Sequence, residues 1–162
     1  MNLLQAYFVC GVQARVTTRD TPRAMSQADI DTLRSEYEAM SRKDWAALFR
    51  AADPGFELRT PDRNLTLSGV FSGAEAARRV FADFFEPHEE VSVEPQAFFE
   101  GNGQIVVFFL QRSKPKGSSA FVEARAAHLW TIRDGKATRL EIFPQREEAL
   151  EAAGLPEQDA LP

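Results

Sequence analysis

Ile105-Val106-Val107-Phe108-Phe109-Leu110 is the stretch on which the fold turns. Six apolar residues in a row, bounded by turn signals, read as a strand buried on both faces. An antiparallel strand with one wet face would alternate, and this one does not. Gly101-Asn102-Gly103 precedes it as a hairpin turn, because these residues tolerate positive φ. Before the turn, Val91–Phe99 reads as a partner strand with a break near Pro95. After a polar loop at Ser113–Ser119, Phe121–Ile132 reads as a long strand, Asp134-Gly135 as a tight turn and Ala137–Phe143 as the last long strand. Glu147–Ala153 then reads as a short helix ended near Gly154. Something must cover the second face of 105–110. A second copy of the same sheet would do so, giving a homodimer through the sheet. The alternatives are the N-terminal segment and the C-terminal helix.

The first half of the chain is helical with short strands. Ser26 and Asp29 have the spacing of a capping box, and Ile30, Leu33, Tyr37 and Met40 follow at helical intervals. Asp44 is placed to cap a second short helix carrying Trp45, Leu48 and Phe49, ended by Asp53-Pro54-Gly55. Phe56, Leu58 and Thr60 alternate with Glu57 and Arg59, the pattern of a strand with one buried face. Thr60-Pro61-Asp62-Arg63 reads as a turn, and Leu65–Leu67 as a second short strand. Ser72 and Glu75 have capping-box spacing before a helix with Ala76, Val80, Phe81 and Phe84 inward, stopped by Pro87. Helices first and long antiparallel strands after make an α+β layout, with helices packed on one face of a sheet.

Composition narrows the function. A chain of 162 residues and 18.1 kDa is one domain's worth. It carries 13 Phe but only 2 His and 1 Cys. A single Cys10 forms no intrachain disulfide, and two histidines do not make a three-His zinc site. No metal or cofactor is expected. With a net charge of −5 and a pI of about 5.1, the chain lacks the basic face of a nucleic-acid binder. Its one basic run, Arg112, Lys114 and Lys116, reads as a solvated loop. No apolar run reaches the ~20 residues of a membrane span. Leu3–Val12 is apolar but lacks the basic n-region of a secretory signal, so a cytoplasmic protein is expected. Residues 1–24 read as a flexible extension ahead of a natural start at Met25, 25–155 as the domain and 156–162 as a tail.

Several stretches together resemble a known family. They are Tyr37, Asp44-Trp45, Gly69-Val70-Phe71-Ser72-Gly73, Trp130-Thr131-Ile132-Arg133-Asp134-Gly135-Lys136 and Arg146 through Leu155. They resemble the nuclear transport factor 2-like superfamily in its SnoaL-like branch, over about Ser26 to Leu155. The resemblance implies a cone: a curved antiparallel sheet with N-terminal helices closing a central pocket, and dimerisation through the sheet. The superfamily includes ketosteroid isomerases, polyketide cyclases, epoxide hydrolases and non-catalytic binding proteins, so fold alone selects no function.

The resemblance also implies positions for a site. Ketosteroid isomerases use an aspartate base, with a tyrosine and a protonated aspartate as oxyanion donors. Tyr37 matches the tyrosine, Thr60 stands where the base would be, and His128 falls near the second acid on the penultimate strand. Threonine is no general base at neutral pH. Epoxide hydrolase chemistry would need an inward arginine–aspartate pair, where this chain has Ala126 and His128.

On one strand face Ala124, Ala126, His128 and Trp130 line up, small residues beside large ones as the inside of a cone requires. His128 is either an acid–base group or a buried histidine satisfied by Tyr37 or a backbone carbonyl. Tyr37 is either an oxyanion donor or a core tyrosine with its hydroxyl bonded. Thr60, Trp45, Phe56, Phe71, Phe84, Phe108 and Trp130, with Phe81, are candidate pocket walls for a small apolar ligand. Three functions stay open: an isomerase or cyclase on an apolar carbonyl compound, a non-catalytic binding domain, and a structural dimer with a filled cone.

Overall fold

The computed structural model describes residues 27–61 and 67–156 and the backbone of 160–161. The expected extension at 1–24, the Ser26 half of the first capping pair and Leu65 lie outside these residues. The elements are α1 (Gln27–Ser41), β1 (Glu57–Thr60), β2 (Gly69–Ser72), α2 (Ala74–Phe85), β3 (His88–Gly101), β4 (Gln104–Pro115), β5 (Val122–Arg133), β6 (Lys136–Phe143), α3 (Arg146–Ala153) and β7 (Ala160–Leu161). All strands share one curved, unclosed sheet in the order β2-β1-β6-β5-β4-β3-β7. This is the expected α+β class, consistent with a cone. One correction concerns strand direction. β1 runs parallel to β6, with Leu58 beside Leu140, so the sheet is mixed and not purely antiparallel.

α1 buries Ile30, Leu33, Tyr37 and Met40, the predicted stripe. It ends at Ser41, and Lys43, at a φ of 54°, turns the chain away from it. The expected second helix at 44–49 is absent. Asp44 does cap: its carbonyl receives the N–H groups of Ala47 and Leu48, and its carboxylate receives that of Ala47 at 3.1 Å. Propagation then stops at Phe49, which sits at φ 59°. Its N–H donates to the Glu36 carboxylate at 2.8 Å, while Arg78 Nε donates to the Leu48 carbonyl at 2.7 Å. Two side chains from α1 and α2 have taken the backbone groups a helix would have used.

Glu36 gives a pH-dependent contribution. Burial raises its carboxyl above the usual carboxylate range, against the lowering effects of the Phe49 N–H and Arg78. A group with a raised folded pKa binds its proton more tightly when folded. Its contribution is therefore full below the unfolded pKa and lost as pH rises through the folded one. Glu36→Gln keeps an acceptor for Phe49 and removes the titration. Urea midpoints should show the variant gaining on wild type as pH rises from the ordinary carboxylate range through the raised one, whereas a constant difference would refute the burial of charge.

β2 occupies Gly69–Ser72, with Leu67 in the turn before it, while residues 65 and 66 of the short strand expected at Leu65–Leu67 lie outside the described residues. α2 starts after Gly73 without a side-chain cap, and Glu75 instead pairs with Arg78 and Arg79. The expected Ser72–Glu75 box does not form. α2 buries Ala77, Val80, Phe81 and Phe85, so Phe85 takes the deep position expected of Phe84.

β3 to β6 form a meander joined by short turns. Asn102 and Gly103 have φ of 55° and 72°, and Asp134 and Gly135 have 51° and 74°. Such positive pairs match the twist of the flanking strands. The expected break near Pro95 is a register shift between Pro95 and Ala97. His88 opens β3 and does not sit in a loop, and β4 runs on to Pro115 through the expected loop. Arg112 and Lys114 of the basic run thus lie at the end of a strand, with Lys116 in the turn just beyond it. Arg112 pairs with Glu123 at 2.8 Å, Lys114 with Glu90 at 3.2 Å and Lys116 with Glu86 at 2.6 Å.

The second face of 105–110 is covered from within the chain. Val106 and Phe108 pack with Phe99, Ala127 and Leu129 beneath Ala149, Leu150 and Ala153 of α3. The C-terminal helix, the weighed alternative, does the covering assigned to a second copy. Gly154, in the left-handed region, ends α3, and β7 pairs with β3 at Phe98 and Phe99, so part of the expected tail joins the sheet.

Candidate functional site

The opposite, concave face holds a cavity of about 190 Å³. α2 supplies Val80, Phe81, Phe84 and Phe85, and α1 supplies Met40. β4 contributes Phe109 and Gln111, and β5 contributes Ala124, Ala126 and His128. Register explains the space. Phe109 lies opposite Ala126, and Gln111 opposite Ala124, so each larger side chain faces a methyl group. Among the described residues that line it none carries a charge, and only Thr60, Gln111 and His128 are polar.

His128 is 2% exposed and enclosed by rings. Phe109 lies 4.2 Å away centroid to centroid, Tyr37 stacks at 5.6 Å and Phe81 meets it edge-on at 6.5 Å. Burial pushes its pKa down to about 3, so the imidazole is neutral across the physiological range. Behind it lies a short hydrogen-bonded chain. Trp130 Nε1, which can only donate, reaches the Tyr37 oxygen at 3.3 Å. Tyr37 in turn meets His128 Nδ1 at 2.9 Å. The Tyr37 proton has no other acceptor among the described residues, so it goes to Nδ1. The imidazole proton then belongs on Nε2, which has no protein partner among the described residues. Burial also raises the Tyr37 hydroxyl above its ordinary pKa, so it stays protonated.

The predicted site residues therefore separate. His128, Thr60 and Phe84 line the cavity, Phe84 at its rim with 37% exposure. Thr60 has committed its hydroxyl to the Leu67 carbonyl. Tyr37 is buried behind His128 and does not line the cavity. Trp130 lies deeper still, against Phe49 at 6.0 Å. Trp45 stacks on Phe85, nearly parallel at 6.0 Å, on the far side of that ring. Phe56 is core beside Phe49, and Phe71 packs on the same core from β2. Phe108 faces the other way, under the Arg146 guanidinium at 4.9 Å. An unbroken apolar run carries no alternation, so the sequence could not tell Phe108 from Phe109. Gln111 was missed. Its signal was position: two residues beyond Phe109 on an alternating strand it shares that ring's face.

Among the described residues no group of His, Cys, Asp and Glu could hold a metal ion, and no helix is long and apolar enough to cross a membrane.

Residues 33–140 match a family described as the SnoaL-like domain. An uncharacterized protein of Mycobacterium tuberculosis is 28% identical over 119 residues, covering 72% of this chain and 88% of its own. Among solved structures, TerC co-crystallized with polyporic acid superposes with a TM-score of 0.64 at 22% identity, covering 78% of this chain and 97% of that one. A protein of Jannaschia sp. CCS1 described as a putative SnoaL-like polyketide cyclase gives 0.58 at 17% identity, covering 80% of this chain and 93% of that one. Likeness at these identities extends to the fold.

Proposed function

The chain belongs to the SnoaL-like domain family, and we propose that it binds a small, neutral, apolar carbonyl compound. One observation carries this reading. The chain from Trp130 through Tyr37 to His128 leaves a neutral Nε2–H as a fixed donor at a cavity whose described lining is mostly apolar, with Thr60 and Gln111 its other polar residues. Such a donor suits a carbonyl oxygen and gives nothing to a carboxylate or ammonium that ion pairing would. Size supports a compact ligand, since a cavity of about 150 Å³ takes a benzene ring. At about 190 Å³ the space suits one ring with small substituents. A fold neighbour crystallised with polyporic acid fits the use of this scaffold for cyclic organic molecules. A chain with one cysteine needs no oxidising compartment, in keeping with a cytoplasmic setting.

An isomerase or cyclase would use the same donor, since a neutral imidazole polarises a carbonyl. Proton abstraction also needs a base, and among the described residues that line the cavity none is a carboxylate. Binding without turnover is therefore the leading reading.

The test compares cyclohexanone and substituted cyclic ketones with the matching hydrocarbons by calorimetry. One hydrogen bond from a buried donor should favour the ketone about tenfold. His128→Phe should erase that preference and keep hydrocarbon binding. Equal affinities in wild type, or no binding, would refute the proposal. Deuterium exchange beside the carbonyl, accelerated by the protein and lost in His128→Phe, would replace it with catalysis.

A further inference from the structure

One polar side chain in the cavity wall has nothing to bond. The Gln111 amide carries two donors and an acceptor, and among the described residues it has no hydrogen-bond partner. Thr60, by contrast, has spent its hydroxyl on the Leu67 carbonyl. Register explains why Gln111 is left over. Its neighbours across the sheet are Val93 on β3 and Ala124 on β5, and Phe109 precedes it on the same face. All three are hydrocarbon, and all three line the cavity.

The wall opens toward this residue. Along β5 His128 is buried, Ala126 half-buried and Ala124 exposed. Gln111 lies opposite Ala124 and is half-buried. The imidazole donor therefore stands at the closed end of the cavity and the amide at the open end.

We propose that Gln111 selects the far end of the ligand, which is a neutral cyclic hydroxyketone held by its carbonyl on His128 Nε2 and by its hydroxyl on the Gln111 amide. This rests on the carbonyl reading above and adds the second contact. A hydroxyl both donates and accepts, as the amide does. A charged group there would meet no counter-ion among the described lining residues. The spacing sets the substitution pattern. His128 and Ala124 are about 13 Å apart along β5, at roughly 3.3 Å per residue. Taking off one hydrogen bond of about 3 Å at each end leaves about 7 Å, spanned by one ring with oxygens at opposite ends once the glutamine leans inward.

Calorimetry on the full chain tests this with 4-hydroxycyclohexanone and 4-methylcyclohexanone, two ligands of nearly equal size. The ratio of their affinities cancels any general change in the pocket. In Gln111→Met, which keeps the length and removes the amide, the ratio should move at least fivefold toward the methyl compound. The 2-hydroxy and 2-methyl pair puts the substituent beside the carbonyl, out of reach of Gln111, and its ratio should hold. A 4-substituted ratio indifferent to Gln111→Met would overturn the proposal and leave Gln111 a rim residue bonded to water. An equal shift in the 2-substituted pair would overturn it too. The carbonyl reading has its own readout, cyclohexanone against cyclohexane. If that preference holds while the hydroxyl ratio is indifferent, only the Gln111 contact falls. If it is missing while the ratio responds, only the His128 contact falls. No binding by any probe overturns both.

Discussion

Acidification from about pH 7 to about pH 4 is expected to remove roughly 3 kcal/mol of stability through His128 alone. Burial holds its folded pKa down at about 3, whereas an unfolded histidine titrates near ~6.5. The unfolded chain therefore takes up a proton that the folded one refuses. The stabilising contribution is whole above the unfolded pKa and drains away as pH falls towards the folded value. Total stabilities of small domains are about 5–15 kcal/mol, so this one group can decide acid tolerance. Urea denaturation at several pH values, on wild type and His128→Gln, isolates it. The variant should lose this part of the acid slope, and parallel curves would remove His128 from the explanation.

Tyr37→Phe is expected to cost about 2–5 kcal/mol, although it deletes one oxygen. That oxygen serves two buried groups, receiving Trp130 Nε1 at 3.3 Å and giving its proton to His128 Nδ1 at 2.9 Å. Each orphaned group costs about 1–3 kcal/mol. The longer Trp130 contact argues for the lower half of the range. The substitution also frees the imidazole to move its proton to Nδ1, withdrawing the donor from the cavity. Nitrogen chemical shifts of His128 should change from one tautomer to a mixture, and ketone affinity should fall. A stability loss under about 0.5 kcal/mol with unchanged nitrogen shifts would sink the hydrogen-bonded chain.

The elements legible in the sequence were those whose causes are local. The two turns at Asn102-Gly103 and Asp134-Gly135, the stripe of α1 and the end of α3 at Gly154 are written in neighbouring residues. The 44–50 segment misled because the groups that unwind it, Glu36 and Arg78, are distant in sequence from their backbone partners. The parallel junction of β1 and β6 likewise joins Glu57 to Arg139 with no local signal. In the site, alternation with two alanines placed His128 on the cavity face. The same alternation could not show that Tyr37 would spend its hydroxyl behind it, because that bond joins two distant elements.

The meander has a kinetic consequence. β3 joins β4 and β5 joins β6 through turns of two residues, and residues 116–121 alone link β4 to β5, so these pairings close short loops and can zip early. β1, which brings Thr60 to the cavity, must find β6 across about half of the chain, from Leu58 to Leu140. Long loops close late because their entropy is lost before contacts compensate. The cavity is then assembled at the end of folding and opened at the start of unfolding. A ligand held there would leave the rate of folding almost untouched and act as a brake on escape.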